Sequence, residues 1–175
     1  MKKLLIFIGL VIVIVASLFV GCVTSRPYVG HGWTAYDYYD AGIVNLDYHA
    51  YDNALFYFDN AERIFLKENN SIGLILTYMS IGDIHYIRYE YDSAINNYLN
   101  VIDIDSQYWQ AWAFLAVCYS EKKVDTMCIV ALDMTILAGE REAADWLKEN
   151  IEQFIWLEGN EAYDEILAIA MTYWL

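Results

Sequence analysis

The tetrad Tyr51-Asp52-Asn53-Ala54 returns forty residues later as Tyr91-Asp92-Ser93-Ala94, and each time a glycine, Gly42 or Gly82, stands twelve residues before the alanine. The two copies stay in step downstream as Ala54-x3-Phe58-x2-Ala61 and Ala94-x3-Tyr98-x2-Val101. A chain that repeats itself at such a period builds one supersecondary unit several times and buries the apolar face of each unit against the next. Apolar residues at three- and four-residue spacing predict that the unit is helical, with Asp or Ser at the breaks. Asp52 and Asp92 are expected at helix N-caps, where a carboxylate accepts an unpaired backbone N–H. Tyrosine favours strands, but period-two alternation never persists over a strand length, so periodicity overrides propensity. The expectation is an all-α chain of antiparallel helix pairs.

A third copy follows in Trp112-x2-Leu115-Ala116-x2-Tyr119, matching Tyr78, Ile81, Gly82, His85 and Tyr38, Ala41, Gly42, Asn45 in the first two. This grammar resembles the tetratricopeptide repeat (TPR) family, with a large aromatic, Leu-Gly and Tyr on one helix and Ala, an aromatic and Ala on the next. The resemblance implies helix pairs stacked as a short solenoid over residues 34–140. Small residues let the paired helices approach and aromatics fill the space beside them. The first two copies lie 40 residues apart where the family has 34. The surplus falls around Phe65 to Ser71, which predicts an extended second helix and a longer connection. The third copy decays in its second helix, with Cys128 at the small-residue position.

Residues 141–175 predict two amphipathic capping helices, Glu142 to Leu157 and Glu161 to Trp174, broken at Gly159-Asn160. Trp146, Phe154, Trp156, Ile166 and Ile169 are the residues expected to close the apolar end of the array. The terminal Tyr173-Trp174-Leu175 either tucks into this cap or seeds a dimer.

At the other end, Lys2 and Lys3 precede the apolar run LLIFIGLVIVIVASLFVGCV, a targeting segment to be set apart from the fold. Leu18-Phe19-Val20-Gly21-Cys22 resembles the lipobox of bacterial lipoproteins, with Phe19 where the usual pattern has Leu. That resemblance implies an N-terminal lipoprotein signal helix, residues 1–21, that is removed, lipidation of Cys22, and a tether over residues 22–33. The alternative is an uncleaved inner-membrane signal anchor, because about 20 apolar residues can span a bilayer. Either reading puts the globular part in the bacterial cell envelope, tied to a membrane. Val23, with no Asp after the cysteine, favours the outer membrane facing the periplasm.

Ten Lys+Arg against 24 Asp+Glu give a formal charge of −14, which becomes −16 once Lys2 and Lys3 are removed. A nucleic-acid binder needs a cationic footprint, so that class is excluded. The same charge repels anionic lipid, leaving the acyl chains to hold the protein to its membrane. Cys118 and Cys128 fit no zinc spacing; they are either two buried thiols or, in an oxidising envelope, a disulfide.

No Gly-rich phosphate loop, HExxH pair or Gly-x-Ser-x-Gly elbow occurs, so no enzyme and no cofactor are expected. His31, His49 and His85 are scattered, and the acids of Asp103-Ile-Asp105 are ordinary at the end of a TPR second helix, so no metal site is expected either. The family resemblance instead implies a partner-binding groove on the inner face. Carried over position by position, it comprises Tyr36, Tyr39 and Ile43, then Met79, Asp83 and Tyr86, then Ala113, Val117 and Ser120. None is Lys, Arg or Asn, the residues with which relatives clamp a terminal carboxylate. Tyr38, Tyr78 and Trp112 are expected to pack within their repeats, whereas core and groove stay open for Tyr36, Tyr39 and Tyr86. An acidic, aromatic groove fits a protein or peptide of basic or apolar character. The function expected is that of a membrane-anchored TPR lipoprotein mediating protein–protein interaction as a scaffold or assembly factor. The alternative is a carrier of a small apolar ligand in the aromatic groove.

Overall fold

The structure, a computed structural model, describes residues 29–174. The signal segment 1–21, the lipidation site Cys22 and Leu175 lie outside the described residues. Within them the chain is helical, with seven α-helices and no strand: α1 (Ala35–Asp47), α2 (Tyr51–Glu68), α3 (Ser71–Ile87), α4 (Tyr91–Ile104), α5 (Trp109–Glu121), α6 (Asp125–Asn150) and α7 (Glu161–Thr172). A 3-10 segment, Ile151–Leu157, joins the last two. No helix among the described residues is long and apolar enough to cross a membrane.

Helix α1 begins with a capping box. Thr34 Oγ1 accepts the Asp37 N–H at 3.2 Å and the Asp37 carboxylate accepts the Thr34 N–H at 2.7 Å. Just upstream, Trp33 packs edge-on to Tyr38 and stacks on Tyr57, so the end of the expected tether folds onto the first helix pair.

Packing is closest within three consecutive pairs, α1 with α2, α3 with α4 and α5 with α6. Each pair turns in the same way. Ala50 N–H donates to Asn45 O, Glu90 N–H to His85 O and Val124 N–H to Tyr119 O, at 2.8 to 3.0 Å. The residue before each donor, His49, Tyr89 and Lys123, has a φ of 56°, 62° and 55°. This is the left-handed turn that satisfies the last carbonyls of a helix, and glycine is its usual occupant. None of the three is glycine. The third copy, weak in its second helix by sequence, therefore closes as the other two do, and Cys128 takes the place of Ala54 and Ala94, all three wholly buried.

Asp52 and Asp92 are not N-caps. Ala50 and Glu90 hold those positions without a side-chain hydrogen bond, which puts both aspartates inside the first turn. There they face the next pair: Arg88 Nη2 donates to Asp52 Oδ1 at 2.5 Å, and Lys122 Nζ pairs with Asp92 Oδ1. A carboxylate in a first turn still benefits from the helix dipole.

The surplus of the first repeat extends helices and not the connection. Helix α2 has 18 residues against 14 in α4, and α3 has 17 against 13 in α5. The link is only Asn69 and Asn70. Asn69 takes the left-handed conformation, φ 52°, and the Asn70 side chain accepts the Gly73 N–H at 2.9 Å. Asparagine tolerates both roles, so two residues suffice to end one helix and start another.

The tail departs from two simple helices. Helix α6 runs on from the third pair and is interrupted at Glu140, φ 46° and ψ −118°. The chain turns into the 3-10 segment after Asn150, then breaks at Gly159 and restarts with Asn160 capping α7. Phe154 and Ile166 are buried, Trp146 and Trp156 half-buried, but Ile169 is 49% exposed and outside the core. Trp174 tucks in: its Nε1 donates to Ala144 O at 3.0 Å, with Lys148 over the ring.

Candidate partner-binding face

Helices α1 and α3, the first members of consecutive pairs, touch each other, joined at their contact by Tyr39 Oη and Ser80 Oγ at 3.4 Å. Residues three and four apart share one helix face, so Met79, Asp83 and Tyr86 line up on α3 beside Tyr39 and Ile43 on α1. All five are half-buried. Tyr39 leans on Phe58, ring centroids 5.6 Å apart, and Ile43 packs on the cluster of Ala54, Phe58, Ile81 and Ile84. Tyr36 is set apart from them. It is 45% exposed, its ring meets Phe65 edge-on at 4.9 Å, and its hydroxyl accepts a bond from Asn70 Nδ2 at 3.3 Å.

Asp83 is the one acid in α3, a helix otherwise dominated by apolar residues. The hydroxyl of Tyr98 donates to its Oδ1 at 2.8 Å. Burial raises the Asp83 pKa above its ordinary value and outweighs the opposing effect of that bond. Tyr98 is raised as well, first by burial and then by the Asp83 charge. Its ring stacks on Phe114 with centroids 5.4 Å apart. Tyr108, from the link before α5, is half-buried, and its pKa is raised first by burial, with Asp83 and Asp105 among the nearby acids that add to the shift. Tyr86 points toward α5 and α4; burial and the nearby Glu121 raise its pKa, and its ring lies 5.8 Å from Tyr91.

The third part of the expected groove is not open. Ala113, Val117 and Ser120 are 1%, 6% and 4% exposed. Val117 belongs to the core of the last two helix pairs, and Ser120 is covered by the chain's own 3-10 segment. Ser120 Oγ donates to Gln153 O at 2.7 Å and accepts from Trp156 Nε1 at 2.8 Å, with Lys123 over the Trp156 ring. Of the expected groove positions, those that keep exposure are thus confined to the first two pairs. Sequence reasoning missed Ser80 and Tyr108 as members of this face and assigned Tyr98 to packing alone. The available signal was the lone carboxylate in α3.

The remaining candidates resolve into structural roles. Tyr38 is buried; Tyr78 and Trp112 are half-buried, donating to Glu62 Oε1 and Ser106 O at 3.0 Å. His85 Nδ1 lies 2.5 Å from Glu90 Oε2 across the turn. Asp105 Oδ1 accepts the Gln107 N–H at 2.9 Å, holding the α4–α5 link. Cys118 and Cys128 are free and buried, and burial pushes both thiols up to about 12. Cys128 Sγ donates to Ala116 O at 3.4 Å. Thiols so protonated are poor nucleophiles. Compared with known proteins, the chain matches no family model and no curated sequence, so the reading of this face rests on its own residues.

Proposed function

We propose that this protein is a TPR-like, lipid-anchored component of the bacterial cell envelope that binds another protein through the first helices of its first two helix pairs. The observation that carries the reading is the side-by-side contact of α1 and α3 through Tyr39 and Ser80, which presents Tyr39, Met79, Asp83 and Tyr86 on adjoining helices. Helix pairs stacked in this order form a continuous ligand-facing surface without a catalytic constellation. Function lives in such a site and not in the fold, and this one offers tyrosine rings and a carboxylate, groups suited to recognition. The formal charge of −16 on the chain after Cys22 takes over the N-terminus favours a partner of basic or apolar character.

A photo-crosslinking amino acid at position 86 in living cells tests the binding face. Capture of a partner there, and not from exposed position 130 on α6, is the expected result. Capture only from position 130 would overturn the assignment. The anchor is tested by Cys22→Ser, which should release the protein from the membrane fraction; a variant that stays membrane-bound, with a wild type that carries no lipid, would refute the lipobox reading.

A further inference from the structure

The face around Asp83 has a chemical peculiarity. A carboxylate in a mostly apolar helix is costly unless a cation pairs with it. Among the described residues the ion pairs are His85–Glu90, Arg88–Asp52 and Lys122–Asp92, and none involves Asp83. Among the described residues its one hydrogen bond comes from Tyr98, to Oδ1, and no buried side-chain oxygen lacks a partner, so the unbonded Oδ2 is accessible to an external donor. Tyr39 Oη meets Ser80 Oγ at 3.4 Å one turn before Asp83 on α3, Tyr86 lies one turn after it, and the half-buried Tyr108 has Asp83 among its nearby acids. Tyrosine rings attract cations through their π faces, and they pack well against methylene stems.

We infer that Asp83, Tyr39, Tyr86 and Tyr108 form a cation subsite that takes one lysine or arginine side chain of the protein partner. The alkyl stem lies against the tyrosine rings and the head group donates to Asp83, while the Tyr98 hydroxyl holds the carboxylate in place. The inference rests on the binding face proposed above and narrows it from a basic or apolar partner to one with a projecting basic side chain. It also accounts for a carboxylate at a position where an apolar residue would stabilise the fold. Charge-assisted hydrogen bonds are about twice as strong as neutral ones, and the acidic domain adds long-range attraction for a cationic segment.

The test uses the full-length protein in detergent with 13C-labelled tyrosine rings. It is titrated with n-butylammonium, which mimics the lysine side chain, and with 1-butanol as the uncharged control. Saturable shifts in the Tyr39, Tyr86 and Tyr108 resonances are expected with n-butylammonium and not with 1-butanol. Asp83→Asn keeps the acceptor for Tyr98 and removes only the charge, so it should weaken binding about tenfold or more. Asp133→Asn, the same charge change on an exposed acid of α6, should leave binding unchanged. An equal response to 1-butanol, an unaffected Asp83→Asn variant or an equal loss in Asp133→Asn would each overturn the subsite. Crosslinking from position 86 separates this inference from the broader reading. Capture that survives Asp83→Asn, on a partner segment lacking Lys and Arg, removes the subsite and leaves the binding face standing. No capture from position 86, nor from position 79, where all four subsite residues are kept, removes the binding face, and the n-butylammonium titration still decides the subsite.

Discussion

A methyl group added to Gly42 would sit 2.5 Å from Cε1 of Phe58. The same relationship recurs in the second pair, where it would sit 2.6 Å from Cε1 of Tyr98 at Gly82. In the third pair the equivalent residues are Ala116 and Leu132, both wholly buried. The small residue tracks the bulk of its partner: glycine against a ring, alanine against leucine. Helix approach is thus set by pairs of residues, because a close-packed interior has no slack to absorb a misplaced methyl.

Gly42→Ala should destabilise the fold by about 1–3 kcal/mol through overpacking. Combined with Phe58→Leu, which copies the third pair, most of that loss should vanish, with a coupling of about 1 kcal/mol or more in a urea-denaturation double-mutant cycle. Strict additivity of the two changes would show that the ring and the glycine do not share this space.

The ion pairs between helix pairs are expected to matter little. Asp52 and Asp92 have side chains 91% and 85% exposed, and exposed pairs contribute at most about 1 kcal/mol. Asp52→Asn and Asp92→Asn should each lower stability by less than about 1 kcal/mol, with the difference shrinking in high salt. A loss of several kcal/mol, insensitive to salt, would contradict this.

Ser120 is the hinge between the third pair and the tail. Ser120→Ala leaves the Trp156 N–H and its contact with the 3-10 segment without their hydroxyl, at a cost of about 1–3 kcal/mol. Hydrogen exchange should quicken across residues 151–157 before it does in α1 and α2. Uniform change over the whole chain would mean that the tail is not a separately opening unit.

Two non-glycine residues at positive φ offer stabilising changes. Tyr89 at 62° is 79% exposed, and Glu140 at 46° interrupts α6. Tyr89→Gly and Glu140→Gly should each raise stability by about 1 kcal/mol, whereas Glu140→Ala should not. A lower urea midpoint for the glycine variants would be inconsistent with these backbone conformations.

Burial raises the Asp83 pKa above its ordinary 3.8, so the folded chain holds that proton more tightly than the unfolded chain. The contribution of Asp83 to stability is therefore complete below pH 3.8 and is lost as pH rises through the raised value. Asp83→Asn, which resembles the protonated form, should melt higher than the wild type at pH 7 and show no advantage below pH 3.8. A variant less stable than the wild type at pH 7 would mean that the ionised carboxylate is stabilising. A stabilising change that weakens cation binding is the expected signature of a residue kept for function.

What the sequence by itself determined is the helix pair. Gly42 with Phe58, Gly82 with Tyr98 and Ala116 with Leu132 are each sixteen residues apart, a spacing set by helix pitch and one short turn. Such local matches are visible to periodicity alone, which is why Cys128 could be aligned with Ala54 and Ala94 in a copy of weak sequence. Only the tertiary structure decided which residues of the first helices stay open. Val117 and Ser120 occupy positions equivalent to Ile43 and Leu46, yet they are buried, because a segment more than thirty residues downstream returns to Ser120. Likewise Asp52 and Asp92 read as caps but lie two residues inside helices capped by Ala50 and Glu90, and only the stacking of the next pair brings them to Arg88 and Lys122. Contacts between elements far apart in the chain depend on how the pairs stack and where the tail travels. A pattern with a period of one helix turn carries no information about either.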